Sequence, residues 1–352
     1  MDLLSRFLSL MPVSGRVDVR CHFGAPWAIE EGPAGVREIP YHVLLAGRAV
    51  LEDGNGPPEH LVAGDIIVFP TGSPHRMHDG SGAQPVPVTE RRNIMLTVAE
   101  NSGTGETVDI LCGRFLLGAV PDRLLRDHLP SRLVVRSGAR TSAGDEVTVE
   151  VRGAANHAAN GAANGAAHSS VAGSRLARLI QLMREEATDE SPGSETLVNH
   201  LSAALFALTL RFASEAAQAP HGLLALAGRP RLQAAVSAMF ESPGKPWTLD
   251  QFAALCNMSR ATFVRQFQEA IGRSATDVLT EVRMTIAGRM LLESTTPVGD
   301  IGETVGYQSE AAFQRVFKKQ IGVTPARWRA SGGHVQAAQD AADDETAPVE
   351  AE

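Results

Sequence analysis

Three cysteines among 352 residues are too few to staple a secreted fold, and nothing at the N-terminus asks for export. The stretch "MDLLSRFLSLMPVSG" alternates polar with apolar residues around Asp2 and Arg6, so its uncharged core is too short for a signal peptide. No apolar run approaches the ~18 residues that a membrane span requires. A cytoplasmic chain with no membrane partner is expected. Two further absences bear on chemistry. No Gly-rich phosphate loop stands in strand–helix context, and no nucleophile–base constellation occurs, so neither catalysis nor a cofactor is expected. Basic charge is also short. The formal net charge of −8 excludes a plain nucleic-acid binder unless the charge is unevenly placed. Residues 231–330 hold 12 Lys and Arg against 9 Asp and Glu, residues 331–352 hold none against 6, and residues 1–230 hold 20 against 25. The positive excess therefore falls on one segment.

Between residues 16 and 112 the chain is broken by Gly, Pro and Asp into short β-type runs: "RVDVRCHF", "YHVLLAG", "DIIVFP", "NIMLTVAE" and "VDILCGRF". Several such strands with turn signals between them predict an antiparallel barrel or sandwich. "PDRLLRDHL", residues 121–129, predicts a short helix. Residues 153–173 repeat Ala-Ala-Asn with Gly and have nothing to pack, which marks a linker. Helical periodicity follows in "SRLARLIQLMREEA" and "ETLVNHLSAALFALTLRFASEA", split by the turn "TDESPGS". The second of these is apolar around much of its circumference, which predicts burial against a partner helix, from this chain or from a second copy. The acidic tail 331–352, with Val349 among small and charged residues, is expected to be disordered.

One helix is spelled twice. "ATFVRQFQEAIG" at 261–272 and "AAFQRVFKKQIG" at 311–322 share Phe, Arg, Phe, Ile and Gly at the same offsets. Each follows a short apolar stripe at i, i+3, i+4, i+7: Leu249, Phe252, Ala253 and Cys256 in a helix capped by Thr248, then Val298, Ile301, Gly302 and Val305. Polar turns, "NMS" and "GYQS", join the two parts, so the unit is helix–turn–helix, present twice. Within each second helix the Phe pairs Phe263/Phe267 and Phe313/Phe317 share a face. Arg265 and Arg315 point to the other side. Ala261, Val264 and Gln268 accompany the first arginine; Ala311, Gln314 and Lys318 accompany the second. Small residues at the start of an exposed helix allow close approach to a major groove, and Arg reaches guanine O6 and N7 with two hydrogen bonds. Arg260 and Lys319 flank these faces as phosphate contacts. The segment 275–294 between the units is long enough for one helix of ~27–30 Å, a strut that could hold two reading helices near the ~34 Å repeat of the duplex.

These residues, from "WTLDQFAALCNMSRATFVRQFQEAIG" to "VTPARWR", resemble the DNA-binding domain of the AraC/XylS family of bacterial transcription regulators over about 247–329. The resemblance implies that both second helices enter the major groove of promoter DNA, with RNA polymerase as a further partner. It carries reading roles onto Ala261, Val264, Arg265, Ala311, Gln314 and Arg315.

In the N-terminal half, Gly64, Pro70, Gly72 and His75 fit Gly-x5-Pro-x-Gly-x2-His, which resembles the second motif of the cupin barrel, a hairpin between strands. Metal-binding cupins would use that His together with a His-x-His and a Glu from a first motif. Here the matching stretch supplies His42 and, ten residues on, Glu52, with His22, His60 and His78 elsewhere. The pattern is short of the three or four ligands a metal needs, so no metal is expected, and His42 and His75 are the candidates if one binds. Among the cysteines, Cys256 lies on the apolar stripe of the first unit and reads as core. Cys21 follows Val17 and Val19 at period two and faces inward with Phe23, while Arg20 and His22 point away; Cys112 is in phase with Val108 and Ile110. Each reads as a buried core thiol, or as a sensor if the adjacent Arg and His favour the thiolate. Gly15, Asp18, Cys21, Gly24 and Trp27 at three-residue spacing, with "LCGRF", resemble the cupin half of the reactive-chlorine-responsive branch of AraC-type regulators. That resemblance implies Cys21 and Cys112 as an oxidant-sensing pair. Pro85–Arg91 and 137–173 look like insertions.

The expected architecture is α+β. A cupin-like sensor domain spans 1–152, a linker 153–173, a helical connector or dimerisation element 174–222 (helices 174–218), a double helix–turn–helix domain 230–330 and a tail 331–352. The expected function is sequence-specific transcription regulation, by activation, in response to oxidants. A small organic effector in the barrel, or a metal-binding cupin sensor or enzyme fused to the DNA-binding module, are the alternatives.

Overall fold

The structure, a computed structural model, describes residues 2–92, 96–119, 121, 123–126, 128–136, 170–188, 191–215, 222–226 and 229–334. The possible insertion from 137 and the linker up to 169 lie outside the described residues, as does the tail beyond 334.

A short amphipathic helix α1 (Leu3–Leu10), capped by the Asp2 carboxylate on the Ser5 amide, leads into β1 (Val13–Gly24). The strands β2 (Ala28–Glu31), β3 (Glu38–Ala46), β4 (Arg48–Glu52), β5 (Glu59–Val62), β6 (Asp65–Val68), β7 (His75–His78), β8 (Val88–Arg92), β9 (Thr97–Asn101) and β10 (Thr107–Leu117) follow. After α2 (Arg123–Arg126) comes β11 (Leu133–Arg136). Among the described residues the strands form a seven-stranded sheet, ordered β11-β6-β3-β10-β1-β9-β8, and a four-stranded sheet, ordered β2-β7-β4-β5. Pairing is antiparallel except between β1 and β9, which run parallel, a departure from the expected all-antiparallel barrel. The cupin-type motif also departs from expectation. β6 belongs to the larger sheet and β7 to the smaller, so Gly64 to His75 carries the chain across the barrel rather than through a hairpin. Gly72 makes the change of direction possible with φ +69°, a left-handed conformation that costs a side-chain-bearing residue about 1–2 kcal/mol.

Period-two alternation assigns the faces of the large sheet, with one interruption. A bulge at Asp18 shifts the β1 register, so Val17 joins one face while Cys21 and Phe23 join the other. The inner face, with Cys21, Phe23, Leu44, Ile67, Phe69, Ile110 and Cys112, packs against Ala49, Leu51, Leu61 and Met77 of the small sheet. The outer face, with Tyr41, Val43, Ile66, Leu111 and Phe115, is covered by helices. Burial of side chains of this size contributes roughly 1.5–3 kcal/mol each.

The covering helices are α3 (Ser170–Glu186) and α4 (Ser194–Glu215). Since α3 begins at Ser170, the expected linker ends earlier than 173. α4 is long and apolar enough to cross a membrane by length and composition, yet its Leu205, Phe206, Leu210 and Phe212 are buried in the core beneath the sheet's outer face. The partner its circumference called for is therefore the sheet of its own chain. Gly15 allows the close fit: a Cβ there would stand 2.2 Å from Ser202 Oγ on α4.

A 3-10 turn (Leu223–Leu226) leads to α5 (Pro230–Glu241), α6 (Leu249–Leu255), α7 (Arg260–Ile271), α8 (Ala275–Glu293), α9 (Val298–Thr304), α10 (Glu310–Ile321) and α11 (Pro325–Ala330). The two sequence units have matching ends. Ser259 and Ser309 cap α7 and α10, and Gly272 and Gly322 close them with φ +77° and +91°. Thr248 and Gln251 form a reciprocal capping box on α6. The barrel half and the helical half share one continuous core, from Phe7 on α1 to Val282 on α8. Buried His128 reaches across it, its Nε2 2.8 Å from Glu281 Oε2. Glu281 also accepts a hydrogen bond from Arg273.

At one end of the barrel Asp53, Glu59 and Asp65 meet Arg132 and Arg136, with Arg132 3.0 Å from Asp53. Burial pushes the Asp65 carboxyl up to about 6 from 3.8, against the hydrogen bond it accepts from the Val62 amide. A carboxyl raised on folding is neutral at no cost below its unfolded value and opposes folding as pH rises through the folded one. Asp65→Asn, which keeps an acceptor for Val62, is therefore expected to stabilise the protein by about 1–3 kcal/mol at pH 7.5. Thermal melts across pH should show that gain shrinking through pH 6 and vanishing below about pH 4.

Candidate nucleic-acid interface and thiol site

Exposure follows the helical period on α7 and α10. Phe263, Phe267, Phe313 and Phe317 are buried, each at most 1 % exposed, and anchor the helices to the core. Arg260, Ala261, Val264, Arg265 and Gln268 are all exposed on α7, and Ala311, Gln314, Arg315, Lys318 and Lys319 on α10. Every residue singled out for groove or phosphate contact therefore reaches solvent. Val264 stands 42 % exposed on α7, a position where an apolar side chain would suit a thymine methyl. The polar members are only loosely held. Arg265 lies 3.9 Å from Glu269 one turn on, Arg260 lies 3.6 Å from Asp250, and Gln314 donates to Glu310 at 2.7 Å. Such exposed contacts contribute roughly 0–1 kcal/mol and yield readily to a phosphate or a base. Between the two faces runs α8, whose Val278, Val282, Met284, Ala287 and Leu291 are buried, so the strut is itself the centre of the domain.

In the barrel, Cys21 and Cys112 are brought together. Cys21 pairs with Ile110 and Cys112 with Val19, so the cysteines are diagonal neighbours on adjacent strands with both thiols inward. They are 4 % and 6 % exposed. The hydrogen-bonded contact with Cys21 and burial together hold the Cys112 thiol well above its ordinary range. The thiolate-favouring role considered for Arg20 and His22 is not borne by the structure. Arg20 lies on the opposite face of β1, buried in a two-pronged pair with Asp109 at 2.8 and 3.1 Å, and His22 sits 3.5 Å from the same carboxylate. The neighbour of Cys112 is instead His42, directly opposite it on β3, with Nδ1 3.0 Å from Sγ. Sequence reasoning named His42 for a metal and missed this contact, although a His on one strand and a Cys on the next, both inward, are what cross-strand register would reveal.

His42 Nε2 lies 2.7 Å from His75 Nε2, and His75 Nδ1 donates to the Ser73 carbonyl at 3.1 Å. Burial, then the neighbouring His75, lowers His42 well below the usual imidazole value; burial lowers His75. The remaining metal candidates are scattered: Glu52 pairs with Arg76 and His78 on the small sheet, and His60 is exposed. Among the described residues no cluster of three His, Cys, Asp or Glu could hold a metal. Cys256 is buried in the core, as its stripe position implied.

Comparison with known proteins agrees with this division of the chain. Residues 2–163 match the cupin family and residues 252–331 match the helix-turn-helix domain family. The chain is 29 % identical over 329 residues to the RCS-specific HTH-type transcriptional activator RclR of Escherichia coli K12, covering 94 % of this chain and 97 % of that protein. It is 29 % identical over 332 residues to an HTH-type transcriptional regulator of Haemophilus influenzae, covering 94 % and 99 %. Among solved structures, an AraC-type DNA-binding regulator from Chromobacterium violaceum matches at 26 % identity and a TM-score of 0.29, over 30 % of this chain and 94 % of that one. A cupin half joined to a twice-repeated helix–turn–helix half, with relatives matched along nearly their whole length, places the chain among the AraC-family DNA-binding transcription regulators.

Proposed function

We propose that this regulator binds promoter DNA through α7 and α10 and activates transcription when an electrophilic oxidant joins Cys21 to Cys112. The DNA reading rests on the two exposed arginine faces of matching helices. The sensing reading rests on one observation, two buried thiols in mutual contact on neighbouring strands. With hypochlorous acid, the oxidant class suggested by the RCS-specific relative, the sulfur of one thiol attacks chlorine, the S–Cl bond forms, and water leaves with the thiol's proton. The second thiol then displaces chloride and releases its own proton. In sum two thiols and one HOCl give one disulfide, water and HCl, with sulfur oxidised by two electrons and chlorine reduced by two. A barrel interior filled by Phe23, Trp27, Phe69 and Met77 favours this chemistry over an organic effector.

Residues 1–152 act as the sensor, 230–330 as the reader, and the 174–218 helices as connector and face for a second copy, with RNA polymerase engaged at the promoter in the cytoplasm. Intact-mass analysis after stoichiometric hypochlorous acid is expected to show a loss of about 2 Da, two hydrogens, mapped to the Cys21–Cys112 peptides. A Cys21→Ser, Cys112→Ser protein that still switches promoter output with oxidant would remove the sensing role.

A further inference from the structure

α7 and α10 align at an offset of fifty residues, and their buried faces match while their exposed faces do not. Arg265 has its counterpart in Arg315, but Val264 aligns with Gln314 and Arg260 with Glu310. In α10 the two polar residues are joined. Gln314 Nε2 donates to Glu310 Oε1 at 2.7 Å, one turn away. The other oxygen of Glu310 lies against Gly299 on α9, where an added Cβ would stand 2.9 Å from it. Glu310, Gln314 and Arg315 are all exposed. The joined pair has a direction that Gln314 alone would lack. A carboxylate oxygen only accepts, so the amino end of the Gln314 amide has to face Glu310 and its carbonyl has to face away. What stays free is one N–H and the Oε1 acceptor. Adenine offers the complement in the major groove, N7 as acceptor and the N6 amino group as donor. Guanine offers two acceptors, O6 and N7, and Gln314 satisfies them only by giving up Glu310 and turning both N–H bonds outward. Adenine leaves the bond intact; guanine breaks it.

We propose that Gln314 selects adenine in the DNA segment contacted by α10, with Glu310 as the positioning residue that turns guanine away. α7 carries no such pair. With Val264 and Arg260 at the aligned positions its segment lacks this preference, so the two halves of the DNA site differ and the protein binds in one orientation. This assignment rests on the DNA reading proposed above but names a separate property, a base other than the guanine taken by Arg315.

The test is selection from duplexes with about 20 randomised base pairs, enough for two groove segments, by the full-length protein in both redox states. Mobility shifts then compare the enriched duplex with its single adenine-to-guanine change. Arg315→Ala should lose one enriched guanine and Gln314→Ala one enriched adenine, each leaving the other base enriched. The unaltered protein is expected to prefer adenine to guanine at that position by about 5-fold to 100-fold. Glu310→Gln, whose amide both donates and accepts, should lower that ratio about 2-fold to 5-fold. Gly299→Ala keeps the charge but crowds the carboxylate, and should lower the ratio in the same direction. A ratio lowered in Glu310→Gln alone would make the effect one of charge and overturn the positioning role. An adenine preference unchanged in Glu310→Gln, a different base governed by Gln314, or none governed by it would overturn the assignment, while a guanine lost in Arg315→Ala would keep the DNA reading standing. Enrichment that neither Arg315→Ala nor Gln314→Ala alters, or no enrichment at all, would overturn both.

Discussion

Replacing Arg265 and Arg315 together with alanine is expected to lower affinity for promoter DNA by about 30-fold to 10⁴-fold, with no change in folding. Each bidentate arginine–guanine contact discriminates by about 1–3 kcal/mol, and on the proposed reading the two would act in separate groove segments, so their losses should add. Both side chains are exposed and neither supports the core, which keeps the thermal midpoint within the scatter of a surface substitution. Mobility shifts at fixed salt measure the effect. Arg260→Ala and Lys319→Ala should behave differently, weakening binding to all sequences and lowering the salt slope by about one each. An unchanged affinity in the double arginine variant would remove the reading role from these helices.

Glu281→Ala is expected to destabilise the folded chain by about 3–5 kcal/mol. Glu281 is buried on α8 and accepts from both His128 of the barrel half and Arg273 of its own domain. Removing one member of such a group leaves the others desolvated and uncompensated, which costs more than the pair itself contributes. Denaturant unfolding should show the midpoint falling in step with that loss. Because His128 stands after α2 and Glu281 lies on α8 between α7 and α10, the same substitution should loosen the barrel half from the helical half. A loss below about 1 kcal/mol would mean that the buried contact is water-accessible and not part of the joint.

The double helix–turn–helix was legible because its signal is local and repeated. Phe at i and i+4 against Arg at i+2 fixes a buried and an exposed face within one helix, and the second copy, with its own upstream stripe, repeats the constraint. The inward phase of Cys21 and Cys112 was legible for the same reason, from alternation with Phe23 and Ile110. What alternation cannot carry is register between strands. The bulge at Asp18, the parallel pairing of β9 and the placing of His42 opposite Cys112 arise from pairings many residues apart. The crossover at Gly72 was mistaken for a hairpin because the turn residues are the same in both, and only the partners of β6 and β7 differ. The joint between His128 and Glu281 spans 153 residues of sequence and leaves no periodic trace. α4 misled in another way: its apolar circumference correctly called for a partner, and the sheet supplied by its own chain carries no mark in that segment.

The most direct measurement is a footprint of the promoter with reduced and with oxidised protein. Two protected segments about one duplex turn apart, ~10 base pairs centre to centre, are expected, with protection that changes when Cys21 and Cys112 are joined. A single protected segment, or a footprint identical in the two redox states, would contradict a twin reading head governed by a thiol pair.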